Sequence, residues 1–429
     1  MINFLFTRTP LLFFTQNLWR DEAFSYFLAK KNFIQILILT AKDFNPPLYY
    51  FVLHFWIKIF GGSEIALRSL SFIFYWATLY VLFLFLTNIM RKSYKKSIFY
   101  LIFFGCNPFL VYYAFEARMY TMFAFLSALS FYAFYKKNFK LHFMSTILAL
   151  YTNYFAIFIL IGQYLFVRKD KILEKESRKN LLYSLLVFVP WFIFMIINKS
   201  ASDFSSFWLT KTSFKTIIQI PAIIYTGYEK DYGFYDKYII WLSLAFILSI
   251  FLALISEKKN NKLFSYLLVW SFLAPICTAL ISFIKPVFLP RYLIFSSAGF
   301  LLLLVYILEK LKIFLKGIII CLLLIVTFNY FSLEIKYWKK SDYRTTFSEI
   351  KLLAGNNPVY ITNELDYFVA QYYFDENRVF IYGKTYEELP QYVGKVLIPK
   401  EKITNVLPNY PKRAFVVRPD LSYDIEAIY

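Results

Sequence analysis

Two adjacent carboxylates, Asp21 and Glu22, directly follow an apolar run. A carboxylate in that place could take a proton from a hydroxyl group. The same pair could equally open a helix, since acidic side chains favour the first turn. Asp43-Phe44-Asn45-Pro46-Pro47-Leu48 lies a little further on. Its prolines fix φ and push Asn45 towards an extended backbone, which makes the loop stiff enough to hold a side chain against a substrate. Two guanidinium groups, Arg118 and Arg291, stand near predicted helix ends, with Tyr120 and Tyr292 close by in the chain. Such groups could bind a phosphate. Arg118 could instead pair with Glu116, and Arg291 and Tyr292 could anchor the chain at a headgroup layer. Lys42 and Arg68 are less specific cations of the same kind, and His54 reads as a packed residue. The two histidines, His54 and His142, lie too far apart in the chain for a His-rich metal site or a Ser-His-Asp triad. Cys106, Cys277 and Cys321 fall in apolar runs and read as packing residues. No ligand spacing supports a divalent metal among the carboxylates, and no cofactor is expected.

The elements that must position these residues are apolar. Of 429 residues 59% are hydrophobic and only 17% charged, yet the net charge is +20. That combination excludes an ordinary soluble enzyme, a disordered chain and a disulfide scaffold, and a nucleic-acid binder would need its charge on a wet face. Residues 334–429 carry 13 basic and 13 acidic side chains, so the whole excess belongs to residues 1–333. An apolar part that is also the basic part indicates a polytopic membrane protein with basic residues in short cytoplasmic loops.

Runs long enough to span a bilayer lie near 64–90, 97–115, 118–135, 180–198, 238–256, 263–284, 291–309 and 313–333. Five basic clusters separate some of them: Arg91 to Lys96, Lys136 to Lys140, Arg168 to Lys179, Lys258 to Lys262 and Lys310 to Lys316. The positive-inside rule puts all five in the cytoplasm. Residues 141–167 then have both flanks on one side, which predicts two short helices, 141–151 and 153–167, turning at Tyr151-Thr152-Asn153-Tyr154. Residues 1–15 read as one short span, or as a truncated start; a cleaved signal peptide fits poorly. The expectation is a polytopic α-helical membrane protein of about 11 spans in the inner (cytoplasmic) membrane, its N-terminus in the cytoplasm. A transmembrane domain, 1–333, would carry outer loops at 16–63 and 199–236. Residues 334–429 would form a small extracytoplasmic α/β domain, with strands at Val359–Ile361, Val379–Tyr382, Val396–Ile398 and Ala414–Val417. Ala23 to Leu39 could lie at the interface as one amphipathic helix.

LWRDEAFS at 18–25, DFNPPLYYFVLHFW at 43–56, FGGSEIALRSLS at 60–71 and EARMY at 116–120 carry a resemblance. Together they resemble the family-39-type membrane glycosyltransferases of the GT-C class, which include protein mannosyltransferases and aminoarabinose transferases. Asn45 stands where many members have His. The resemblance implies a multi-spanning enzyme that takes a sugar from a polyprenyl-phosphate donor and transfers it on the extracytoplasmic face. The acceptor would be a glycolipid, a polysaccharide or a protein. The family's acidic base maps onto Asp21, and Glu22 is the second member of its motif, orienting Asp21 or the acceptor.

Residue chemistry agrees. A sugar phosphate has a good leaving group and needs no general acid, so one carboxylate suffices as base, and direct displacement inverts the anomeric centre. The departing phosphate needs cations, for which Arg118, Arg291 and Tyr292 are the candidates. Asp43, Asn45 and Tyr120 would shape the loop or the acceptor site. Asp231 and Asp236 read as solvated loop residues. The alternative is a lipid or small-molecule transporter or flippase. That class should place ionisable residues at the midplane of broken helices, whereas here the acids gather in the first outer loop.

Overall fold

In the computed structural model, residues 2–167, 174–198, 211–229, 234–257 and 261–429 are described. Up to Tyr337 the described residues are mostly helical. The first two are short, α1 (Ile2–Arg8) and α2 (Leu12–Thr15). The first expected span is therefore not one helix. Pro10, which has no N–H to donate, sits in the break between them. The expected first loop consists of α3 (Arg20–Ala29), α4 (Phe33–Lys42) and α5 (Leu48–Phe60). Ala23–Leu39 is thus not a single amphipathic helix. Asn32 stops it, because its side chain caps α4 by accepting from the Gln35 N–H while Gln35 reaches back.

Then come α6 (Glu64–Asn88), α7 (Tyr94–Gly105), α8 (Pro108–Ala114), α9 (Tyr120–Tyr135), α10 (Phe139–Leu150) and α11 (Ile157–Val167). The bend between α7 and α8 is 67° and falls at Asn107-Pro108. Asn107 caps α8 and donates to the Tyr225 carbonyl at 2.7 Å. The turn expected at residues 151–154 is present: Asn153 accepts from the Phe155 N–H at 2.9 Å and starts a new helical run. Next are α12 (Glu174–Asn198), α13 (Phe214–Thr226), α14 (Phe234–Ser256), α15 (Lys262–Ile281), α16 (Ile294–Leu308) and α17 (Ile313–Tyr337). The segment 199–236 was expected as a polar loop, but α13 is a helix with every residue from Gln219 to Thr226 buried. Its apolar spacing was masked by the polar residues on either side. Asp236 opens α14, where it faces Gln219 and Lys215; Asp231 and residues 168–173, 258 and 259 lie outside the described residues.

Among the described residues six helices are long and apolar enough to cross a membrane, or seven if the bent pair α7–α8 is one span. Five more apolar helices of 10–17 residues accompany them. Burial ranks them. The helix from Pro290 to Leu308 is 83% buried and forms the middle of its unit, whereas α14 and α17 are only 22% buried and present apolar side chains outward, as lipid-facing helices do.

The basic clusters are tied to one another. Asn88 donates to the Tyr132 hydroxyl at 2.8 Å, beside Lys136, and Asn180 donates to the Phe139 carbonyl at 2.7 Å. Glu309 takes Lys92 at 2.7 Å and Lys316 at 2.5 Å. Glu257 takes Lys310 and the Tyr306 hydroxyl, and Asn261 joins both. These links join residues in or next to the basic clusters across several helix ends.

The C-terminal residues add α18 (Tyr343–Ala354), α19 (Tyr367–Tyr373) and strands β1 (Val359–Ile361), β2 (Val379–Tyr382), β3 (Ile403–Thr404), β4 (Ala414–Val417) and β5 (Tyr423–Glu426). The sheet order is β3-β2-β1-β4-β5, parallel except for β5. Val396–Ile398, expected as a strand, instead falls in and just after a 3-10 turn, Lys395–Leu397, that follows Gly394 at φ +80°. The chain divides into two compact units. One holds Met1–Leu11, Arg68–Ile193 and Leu209–Lys336; the other holds Leu12–Leu67, Phe194–Trp208 and Tyr337–Tyr429. The first loop and the C-terminal sheet thus share a unit.

Candidate active site

The two carboxylates of the first loop behave differently. Both open α3. Glu22 is fully buried; one of its oxygens accepts from the Trp19 N–H at 2.8 Å and from the Lys340 ammonium at 2.6 Å. The first contact caps the helix, and the second is a buried ion pair. Asp21 precedes it by one residue, about 100° around the helix, so it points elsewhere. It is half-buried, and its carbonyl accepts from Ser25 at 2.8 Å.

Residues around Asp21 are held by the C-terminal part of the same unit. Asn17 donates to the Ser341 carbonyl at 2.8 Å and to Asp342 at 3.2 Å. The Leu18 N–H donates to the Tyr373 hydroxyl at 2.8 Å, and Tyr373 donates to Glu64 at 3.0 Å. Arg20 pairs with Asp366 at 2.9 Å, where Tyr343 and Asn363 also donate. Burial disfavours the Arg20 charge, but Asp366 and Tyr343 more than offset this, so its pKa is raised. Phe24 and Phe27 pack on Phe368, and a Cβ on Gly394 would meet Phe24 at 2.5 Å, so only glycine fits there.

Asp43 and Asn45 lie between α4 and α5. Asn45 donates to the Asp43 carboxylate at 2.6 Å, and its N–H donates to the Thr40 carbonyl at 3.0 Å. Phe44, between them, has φ +61°. Pro46 and Pro47 are buried. His54 is buried and bonds the Ala29 carbonyl at 2.7 Å, the packed role expected of it.

The other unit gathers the remaining candidates. Arg118 is buried, with its guanidinium 5.9 Å from the Tyr120 ring centre. Tyr120 packs edge-on to Tyr113 at 4.8 Å and lies 6.2 Å from Tyr292. Tyr113 donates to Glu229 at 3.0 Å, and Glu229 holds Arg291 through Nη2 at 2.8 Å, Nε and the backbone N–H at 2.9 Å. Ser71 donates to the carbonyls of Glu116 and Arg118 at 2.6 and 3.3 Å, and fully buried Arg68 lies one turn earlier on α6. Arg118, Tyr120, Arg291 and Tyr292, spread over 175 positions of sequence, thus share one aromatic and guanidinium cluster. Glu229, Tyr113, Lys340 and Asp366 were missed. Each is an ordinary loop, helix or boundary residue in the sequence, and only the fold gives it a partner. Among the described residues no three His, Cys or carboxylate groups gather around one point.

No family model matches the chain, and no curated protein matches it. Solved structures do. ArnT from Cupriavidus metallidurans in the apo state superposes with a TM-score of 0.61 at 11% identity, covering 96% of this chain and 91% of that one. The same protein bound to undecaprenyl phosphate gives 0.63 at 12% identity, covering 96% and 92%. At such identities the likeness shows the fold, and it extends over nearly the whole of both chains.

Proposed function

We propose that this protein is a membrane glycosyltransferase that moves a sugar from a polyprenyl-phosphate donor to an acceptor hydroxyl on the extracytoplasmic face, with inversion. The observation that carries the reading is the near-complete likeness of fold to a structure that holds undecaprenyl phosphate. The placement of Asp21 supports its role as general base. It is a half-buried carboxylate on a helix start clamped at Asn17, Leu18, Arg20 and Glu22.

The acceptor hydroxyl gives its proton to Asp21 as its oxygen attacks the anomeric carbon. The bond from that carbon to the phosphate oxygen breaks, and polyprenyl phosphate leaves as an anion. Arg118 and Arg291, with Tyr292 beside them, would stabilise the leaving charge. A guanidinium offers five donors, and Arg291 turns Nε and Nη2 to Glu229. Glu229 therefore orients Arg291 as well as matching its charge. Glu22 acts on Asp21 through the helix cap. The acceptor is a glycolipid, polysaccharide or protein of the cell envelope. Basic loop clusters lie in the cytoplasm, and the C-terminal domain lies outside.

Asp21→Asn should lower sugar transfer by about 10²–10⁴-fold while undecaprenyl phosphate still binds. The assay follows undecaprenyl phosphate released from a panel of undecaprenyl-phosphate-linked hexoses and pentoses in the presence of envelope extract. Full turnover in the variant removes the base assignment. Arg118→Ala and Arg291→Ala should each weaken binding of undecaprenyl phosphate by roughly tenfold or more.

A further inference from the structure

The ion pair between Glu22 and Lys340 goes beyond helix capping. A buried ion pair stabilises little compared with apolar side chains of the same size. What it supplies is a fixed contact between charges. Lys340 Nζ meets Glu22 Oε2 at 2.6 Å, and the side chains are 4% and 0% exposed. The same oxygen holds the Trp19 N–H, so the residues between these contacts, Arg20 and Asp21, are stretched across a closed ring of bonds.

Neighbouring bonds act in the same sense. The Lys340 N–H donates to Gln16 at 3.2 Å, and Asn17, Leu18 and Arg20 are tied to Ser341, Tyr373 and Asp366. Asp366 follows β1, where the parallel strand order reverses between β2 and β4. The carboxyl ends of the strands at such a reversal are where open sheets take up ligands. Here that edge is turned to the chain's own first loop, through Arg20.

We infer that Lys340 is a positioning residue for the transfer reaction: acting through Glu22, it sets the place of the Asp21 carboxylate, so that the C-terminal residues govern the chemical step. This rests on Asp21 being the base. Displacement of a catalytic group by about 1 Å costs on the order of 10²-fold in rate. Loss of the tether therefore lowers kcat rather than donor affinity.

The test uses the full chain in lipid nanodiscs and the donor panel described above. Lys340→Met should lower kcat roughly 10- to 100-fold and leave the donor KM within about threefold. Lys340→Arg, which keeps the charge, should restore most of kcat. Amide exchange at residues 16–25 should quicken in Lys340→Met and not in Lys340→Arg. Lys340→Met takes a cation away from a buried carboxylate and can fail to fold. The double variant Glu22→Gln/Lys340→Met removes both charges and keeps an acceptor for Trp19, so it decides the matter. It should melt at the wild-type temperature and still show low kcat. Wild-type kcat and exchange in that folded double variant overturn the inference. An inactive Asp21→Asn beside a fully active double variant sinks only the role of Lys340. A fully active Asp21→Asn sinks the base reading itself.

Discussion

Glu22 and Glu309 are both carboxylates that hold lysine, and they are built in opposite ways. Glu22 takes the Lys340 ammonium and the Trp19 N–H on the same oxygen, with no exposure. Glu309 stands between α16 and α17 and takes Lys92 at 2.7 Å, Lys316 at 2.5 Å and the Tyr100 hydroxyl at 2.5 Å, with Lys96 at 3.7 Å. Positive charge is in excess around Glu309, which keeps some contact with water, whereas Glu22 is sealed from it. A carboxylate with several partners tolerates the loss of any one and staples loops together. A fully buried carboxylate has no water to replace a partner that moves, which suits a helix start that must stay in register. The difference separates a device for holding helices from a device for placing a reactive group.

Removal of each carboxylate tests the contrast. Glu22→Ala takes a buried carboxylate away from the Lys340 ammonium and removes the cap of α3. It should cost about 3–5 kcal/mol, read as the loss of unfolding free energy in detergent. Glu309→Gln keeps one acceptor oxygen for Lys316 and Tyr100 and loses the contact with Lys92, which is partly open to water. It should cost only about 1–2 kcal/mol. If the two costs come out equal or reversed, burial is not what separates the two carboxylates.

The sequence made these two sites unequally legible. Apolar runs predicted a polytopic helical fold, because hydropathy is a local property. The turn at residues 151–154 followed from charge bookkeeping alone, and Asn153 supplies the cap that makes it. Asp21 and Glu22 stood out as a pair, but their division of labour did not. It depends on Lys340, more than 300 residues away. Arg118 and Arg291 were visible as cations near helix ends, whereas Glu229 was not, because a carboxylate in a Tyr-rich loop has no pattern until Arg291 is brought to it. Helix α13 was hidden for a similar reason: its 13 residues are too few to register as a span. β3 and β5 are short strands whose place comes only from pairing with β2 and β4.

The same comparison has a pH signature. Burial opposes ionisation of Glu309, but Lys316, Lys92 and Tyr100 outweigh it and lower its pKa from 4.5 to about 2. A carboxylate with a depressed pKa binds fewer protons folded than unfolded. Its contribution is complete above about pH 4.5 and is lost as pH falls towards about 2. The difference in melting temperature between wild type and Glu309→Gln should therefore be constant near neutrality and shrink below about pH 4.5. A difference that stays constant down to pH 2.5 would show that the lysines do not hold the carboxylate in its charged form.

The smallest effect is expected at the far end of α3. Lys30 pairs with Glu376 at 2.7 Å, but the side chains are 40% and 43% exposed. Exposed pairs of this kind contribute roughly 0–1 kcal/mol, and salt screens them. Lys30 also covers the rings of Tyr26 and Phe27 at 5.4 and 5.6 Å, contacts that its replacement by a neutral chain of similar length largely keeps. Lys30→Met should thus change stability by less than about 0.5 kcal/mol and leave turnover unaltered. This variant locates the tether. α3 is ion-paired to the C-terminal residues at both ends, and of these pairs only Glu22–Lys340 is buried on both sides. If Lys30→Met slowed transfer as much as Lys340→Met, the helix would be held as a rod by both ends, and burial would not be what makes the Glu22 pair effective. Unchanged turnover would assign the control of Asp21 to the first turn alone, where the cap and the buried ammonium share one oxygen.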